Sequence, residues 1–215
     1  MVVSINQPDH STQTHDKRKL RGKKSRRDIV NAAIACIASS GLRSATLENV
    51  AQRAGVSRAL VVFHFRSKTG LLTAVLKDMH ERFTLGWDEE LAADDSTSEK
   101  IIKLLEYDVR FASEHPDLLA VWHAFWGEAR GGTLYRELSH PHDERYGNDL
   151  GELLSQLSKE GGYEDIDASV VEHGLTAMLF GLWRASHLHH SRFEYEKGIR
   201  AIRLYLHKLF PAHFK

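Results

Sequence analysis

The chain has 215 residues, 42% of them hydrophobic, with 29 lysines and arginines against 29 aspartates and glutamates. That composition can bury a core and excludes an intrinsically disordered chain, while four prolines and scarce strand-like alternation point to an all-α fold. A single cysteine, Cys36, excludes an internal disulfide framework, and no run approaches 18 uninterrupted apolar residues, the length a membrane-spanning helix needs.

The amino terminus, MVVSINQPDHSTQTHD, lacks the apolar stretch of a signal peptide, so the expectation is a soluble protein of a reducing cytoplasm. Residues 1–16 read as a polar, mobile tail. KRKLRGKKSRR (17–27) then packs eight positive charges into eleven residues. It is either a solvated arm or a source of extra phosphate and minor-groove contacts. Charge is in fact divided along the chain. Residues 1–80 carry 14 basic against 5 acidic residues, and the remainder 15 against 24. A basic amino-terminal part on an acidic body suits one module that meets phosphates and one that does not.

The first helix is predicted over Ser25–Ser40, from Val30, Ala33, Ile34 and Ile37 at helical spacing and Gly41 as terminator. Cys36 reads as a core filler among them. Thr46 caps a second helix, with Glu48 in its first turn, and Leu47, Val50 and Ala51 face inward. Ala54-Gly55-Val56 makes a tight turn in which Gly55 tolerates positive φ. Ser57 caps a third helix, SRALVVFHF. Ser67 caps a fourth, which runs to about residue 90. Further helices are predicted at about 97–114, 117–130, 133–160, 167–189 and 193–210, separated by Pro116, Gly131-Gly132, Gly161-Gly162 and the SRFE turn. Pro141 is expected to kink or split the seventh.

Two short helices joined by a turn are built to place the second in the major groove of DNA. At its start the third helix presents Ser57, Arg58, Ala59 and Leu60. Arg58 suits a guanine edge, and Ala59 or Leu60 a thymine methyl. Thr46 and Lys68 begin the flanking helices, where free N–H groups and the helix dipole favour phosphate. His64 is a further phosphate candidate.

This block resembles the DNA-binding domain of the TetR family of bacterial transcriptional regulators. The resemblance rests on Gly41, Thr46, Ala51, Ala54-Gly55-Val56-Ser57, Phe65, Lys68 and Leu71-Leu72. One departure stands out: the family usually places Tyr where this chain has Val62, so a phosphate contact is missing there. The resemblance implies a homodimer that leaves its double-stranded operator when a small-molecule effector enters the carboxy-terminal domain.

In the second half, Trp122 and Trp126 share a helical face, Trp183 lies on a second apolar helix, and Tyr107 and Phe111 on a third. Such aromatics serve either as plain core or as a pocket that holds a ligand, a cation included. AVWHAFW (120–126), LYREL (134–138) and GLTAMLFGLW (174–183) resemble the carboxy-terminal domain of BetI-type repressors, which implies choline or a related quaternary ammonium as effector. Tyr107, Trp122, Trp126 and Trp183 are then the ligand-binding candidates.

Leu150, Leu153, Leu154, Leu157, Val170, Leu175, Met178, Leu179 and Leu182 offer stripes for an intersubunit four-helix bundle or for packing within one subunit. Histidines 140, 142, 187, 189 and 190 have no cysteine partner and are not expected to form a metal site. Nothing resembles a Gly-rich phosphate loop, a Ser-His-Asp set or a metal-ligand helix motif. The expectation is a non-enzyme with no catalytic residue, cofactor or membrane partner. Its parts are a flexible basic arm (1–24), a helix-turn-helix DNA-binding domain (25–72) and a helical ligand-binding and dimerisation domain (73–215). The competing reading is an architectural DNA-binding protein whose second domain only dimerises or binds partners.

Overall fold

The computed structural model describes residues 10–128, 133–189 and 192–214. Those residues form nine α-helices and a short 3-10 turn, with no strand among them. In order they are α1 (His10–Ser40), the 3-10 turn (Leu42–Ser44), α2 (Leu47–Ala54), α3 (Arg58–Phe65), α4 (Lys68–Ala92), α5 (Thr97–Glu114), α6 (Pro116–Glu128), α7 (Thr133–Gly161), α8 (Ala168–Leu188) and α9 (Tyr195–Leu209). The predicted breaks at Pro116 and Gly161-Gly162 fall where helices end. Gly131-Gly132, His190 and the first nine residues lie outside the described residues.

Two boundaries differ from the sequence reading. Helix α1 begins at His10 rather than Ser25, so residues 10–24 are helical instead of a flexible arm. Periodicity missed this stretch because it offers no apolar face; among the side chains described, burial begins at Ile29. Its lysines, arginines and glutamine are adequate helix formers, and Gly22 alone interrupts them. The seventh helix passes through Pro141 without a break.

Helices α1 to α3 form a small bundle. Ile29, Val30, Ala33, Ile34 and Ile37 of α1 pack with Val50 and Ala51 of α2 and Val61 and Phe65 of α3, all buried. Gly55 takes the left-handed conformation (φ 66°) that ends α2, and its N–H reaches the carbonyls of Ala51 and Gln52. The bundle is continuous with the body. Helix α4 starts beside α3 and packs onto α5 and α7, and α1 lies against both α4 and α6. The expected domain boundary at 72/73 therefore falls inside a single unbroken helix.

Leu150, Leu153, Leu154 and Leu157 of α7 and Leu175 and Leu179 of α8 are buried within this one chain. Of the apolar residues considered for an intersubunit bundle, Val170 is the one left well exposed. Phe180 and Leu188 of α8 share that exposure.

Candidate nucleic-acid interface and effector cavity

Side-chain caps start three consecutive helices and so fix the geometry of the reading unit. Thr46 Oγ1 accepts from the N–H of Asn49 (3.1 Å), Ser57 Oγ from Leu60 (3.2 Å) and Ser67 Oγ from Gly70 (3.1 Å). Each cap satisfies one otherwise orphaned donor. Ser57, Arg58 and Ala59 are exposed at the start of α3, and Leu60 is half-buried. The Arg58 guanidinium rests 3.7 Å from the Glu48 carboxylate across the turn. Both groups are exposed, so this pair is weak and leaves Arg58 free to move to a base edge.

His64 is half-buried at the end of α3. Burial, and then the Arg26 guanidinium, hold its imidazole below the usual histidine range. A neutral ring there donates one hydrogen bond and carries no charge to a phosphate.

Lys68 is placed differently from expectation. Its ammonium donates to the Leu42 carbonyl (2.9 Å) and points at that of Arg43 (3.3 Å), tying the start of α4 to the 3-10 turn. Its charge is thus engaged within the chain, and the residue opens α4 behind the Ser67 cap.

Sequence reasoning missed Phe63, a ring 78% exposed on α3. An apolar residue next to Val62 carries no local mark of exposure, and only the helix orientation reveals it. The joint after α3 is also unforeseen. Arg66 has φ 66° and ψ −45°, and the Ser67 N–H reaches the Phe65 carbonyl at 2.7 Å. This is a tight three-residue turn that L-residues adopt at a cost.

In the body, α4, α5, α6, α7 and α8 enclose a cavity of about 200 Å³. Trp122, Trp126 and Trp183, from separate positions on α6 and α8, all line it. The rings of Trp122 and Trp183 meet edge to face at 5.2 Å, and Trp126 lies 6.2 Å from Trp183. The structure adds Phe83 and Trp87 of α4, Tyr146 of α7 and Phe180 of α8 to the lining. Phe83 packs against Trp122 (6.2 Å), Tyr146 (4.9 Å) and Trp183 (6.1 Å), which makes it the hub of the wall.

Tyr107 does not line the cavity. Its hydroxyl donates to the Phe83 carbonyl (2.7 Å), and its ring lies where a Cβ on Gly86 would stand. It buttresses the hub from behind. No local pattern signals this, since the contact depends on the α4–α5 crossing.

Three carboxylates also line the cavity: Asp108, Asp143 and Glu172. Among the described residues no lysine or arginine does. Asp108 is buried and accepts from Trp183 Nε1 at 2.6 Å. Burial pushes its carboxyl up to about 7, against the opposing pull of that hydrogen bond. Asp143 is exposed as a residue but turns its carboxylate inward beside Tyr135. Partial desolvation pushes it up to about 6, with the Tyr135 hydroxyl and His140 opposing.

His80 stacks on His142 (4.2 Å, 7° between planes), and its Nε2 lies 3.0 Å from Ser139 Oγ. Burial first, and His142 second, push His80 down to about 4, so it stays neutral. No three His, Cys, Asp or Glu side chains converge as metal ligands would among the described residues. Nor is any single described helix long and apolar enough to cross a membrane.

A chain of polar contacts leaves the cavity toward the DNA-reading bundle. Trp126 Nε1 donates to the Tyr135 hydroxyl (2.5 Å), which lies 3.5 Å from Asp143 Oδ2. Tyr135 in turn lines a second hollow together with Leu42, Arg43 and Lys68.

A capped helix-turn-helix joined by one helix to an aromatic, acid-lined cavity defines a ligand-responsive DNA-binding regulator, and comparison with known proteins identifies the family. Residues 29–75 match the profile of bacterial regulatory proteins of the tetR family, and residues 99–211 that of the carboxy-terminal domain of BetI-type transcriptional repressors. The chain belongs to the TetR family, with a BetI-type carboxy-terminal domain: it is a transcriptional regulator, not an enzyme.

Curated relatives agree. The HTH-type transcriptional regulator BetI of Pectobacterium carotovorum is 25% identical over 81% of this chain and 88% of its own. That of Pseudomonas aeruginosa PAO1 is 26% identical over 84% and 90%. Among solved structures, a transcriptional regulator from Pseudomonas aeruginosa PAO1 superposes with a TM-score of 0.76 at 25% identity, over 90% of this chain and 95% of that one. A regulator from Saccharomonospora viridis, solved in complex with choline, shares the fold with a TM-score of 0.77 at 21% identity, over 86% and 96%.

Proposed function

We propose that this repressor is released from its operator by a small quaternary ammonium compound, with choline the first candidate, bound in the cavity between α4 and α8. The observation that carries this reading is the lining: aromatic faces for the methyl groups and carboxylates for the charge, with neither lysine nor arginine among the described residues of its wall. A cation over a tryptophan face gains about 0.5–2 kcal/mol per ring, more when desolvated. Trp122, Trp126 and Trp183 supply three such faces. A cavity of about 200 Å³ has room for a molecule of choline's size. The choline-bound fold neighbour is consistent with this choice.

DNA recognition is assigned to Ser57, Arg58, Ala59 and Leu60 toward the bases, with Thr46, His64 and the backbone of Lys68 toward phosphates. Occupancy is relayed through Trp126 and Tyr135. A cation drawn to Asp143 competes for the carboxylate beside Tyr135 and so disturbs the hollow that holds the 3-10 turn and Lys68. The working unit is a cytoplasmic homodimer. Its interface uses the exposed edge of α8, where Val170, Ala177, Gly181 and Leu188 recur on one face. Two such faces would place two reading helices on successive major grooves.

Titration with choline tests the reading, because the cavity tryptophans report occupancy. Quenching that saturates, together with loss of operator binding, is the expected result. Unchanged fluorescence and unchanged operator binding would reject the quaternary ammonium. An architectural protein would instead cover any sequence uniformly in footprinting.

A further inference from the structure

The amino-terminal extension of α1 is an element that the family match does not account for. The match begins at residue 29, where burial also begins, whereas α1 begins at His10. From Lys19 to Lys24 no residue is buried, so this stretch has no core packing to hold it helical. Its charge works against the helix as well. Lys19, Arg21, Lys23 and Lys24 repel one another, and they crowd the end of the helix whose dipole is already positive. A helix polar on all sides, with like charges along it, gains nothing from burial and is stabilised by a partner of opposite charge.

The position of α1 says which partner that is. Arg26 lies over the Phe65 ring, its guanidinium carbon 5.3 Å from the centroid, and close enough to depress the neighbouring His64. Phe65 and His64 are the last residues of the reading helix. The free part of α1 thus departs from the same side of the bundle that meets DNA. The run from Lys17 to Arg26 spans about 13 Å at 1.5 Å per residue.

We infer that this extension lies along the phosphate backbone beyond the operator half-site and becomes firmly helical only when phosphates neutralise it. The inference rests on the reading of α3 as the DNA-contacting helix. An anionic lipid surface is the poorer partner, because Leu20 is the one large apolar side chain exposed on the described part of the extension and it offers no apolar face.

The test uses the full chain and the duplex it selects from random sequence. The variant K19Q/R21Q/K23Q/K24Q keeps the reading helix and the core untouched. On a duplex with ten flanking base pairs per side, the variant should bind about 10- to 100-fold more weakly at 0.15 M salt, and its log–log salt slope should fall by about 2 per subunit. On a duplex trimmed to the protected core, the two proteins should bind alike. Wild type should gain helicity on the long duplex and the variant less. Equal slopes on the long duplex would overturn the inference, as would retention of wild type but not variant on phosphatidylserine vesicles with DNA slopes unchanged. If wild type selects no sequence at all, it is the reading of α3 that fails, which keeps the two failures apart.

Discussion

Trp183 Nε1 donates to Asp108 Oδ1 at 2.6 Å, and this is the contact that joins an aromatic wall of the cavity to a buried acid. One side chain thereby orients a ring and supplies a titratable charge. Burial places that acid at about 7, so it is half-ionised near neutrality.

The first prediction follows from that value. A cation prefers the ionised acid, so choline should bind more tightly as pH rises from 6 to 8. Asp143, at about 6, adds to the same trend, whereas His80, at about 4, stays neutral throughout. Protein stability responds in the opposite sense. An acid whose folded-state pKa is raised contributes stability that is full below its unfolded value and is lost as pH rises through the folded one. Asp108→Asn should therefore raise the melting temperature more at pH 8 than at pH 5. It should also weaken choline binding at pH 8 by about tenfold, or about 1.4 kcal/mol, and flatten its pH profile. A profile as steep as that of wild type in tryptophan quenching would contradict the assignment.

Tyr135→Phe removes the hydroxyl between Trp126 and Asp143 and leaves the ring in place. Choline affinity should change by less than about threefold, well under 1.4 kcal/mol. Release from the operator should need at least tenfold more choline. Parallel fluorescence and gel-shift titrations separate the two effects, and release that tracks occupancy as in wild type would dismiss Tyr135 as the relay.

Arg58→Ala and Lys68→Ala should differ in kind. Loss of Arg58 should weaken specific binding by roughly 1–3 kcal/mol and relax base preference, as expected for a residue that reads a base edge. Lys68→Ala frees the Leu42 carbonyl and loosens the 3-10 turn. It should weaken all sequences alike and lower the melting temperature, while the salt slope stays within 0.5 of the wild-type value. A slope reduced by about 0.9 would mean that the ammonium does reach a phosphate.

Much of this was legible in advance because the deciding signals are local. Thr46, Ser57 and Ser67 cap the helices they precede, and Gly55 turns where a left-handed residue is required. The tryptophans were legible as ring positions, but their convergence depends on how α6 and α8 cross α4. For the same reason Phe83, Tyr146 and Phe180 passed unnoticed and Tyr107 was placed on the wrong side of the wall. Asp108 and Asp143 went unremarked, because burial of a lone charge has no signature in neighbouring residues. Residues 10–24 escaped for the opposite reason, as a helix without an apolar face has no period to detect.

Gly70→Ala is the fourth prediction. A Cβ there would stand 2.2 Å from the Phe65 carbonyl oxygen, a backbone atom that cannot swing aside. The variant should lose about 1–3 kcal/mol of stability through overpacking at the α3–α4 joint. Operator binding should fall, and choline quenching should persist with unchanged affinity. Loss of quenching as well would mean that the damage spreads through the whole body.

The same close approach gives α4 the properties of a lever. Lys68 stands at its foot, Phe83 lies against the cavity, and the rod between them is about 22 Å long at 1.5 Å per residue. Tilting such a rod by a few degrees about its upper part carries its foot through about 2 Å, more than half the 3.4 Å step between base pairs. Because the Phe65 carbonyl is seated against Gly70 and the turn at Arg66 has no slack, the joint cannot absorb that travel. The reading helix would then go with the foot, and on the proposed function a small adjustment among rings would become a register error on DNA.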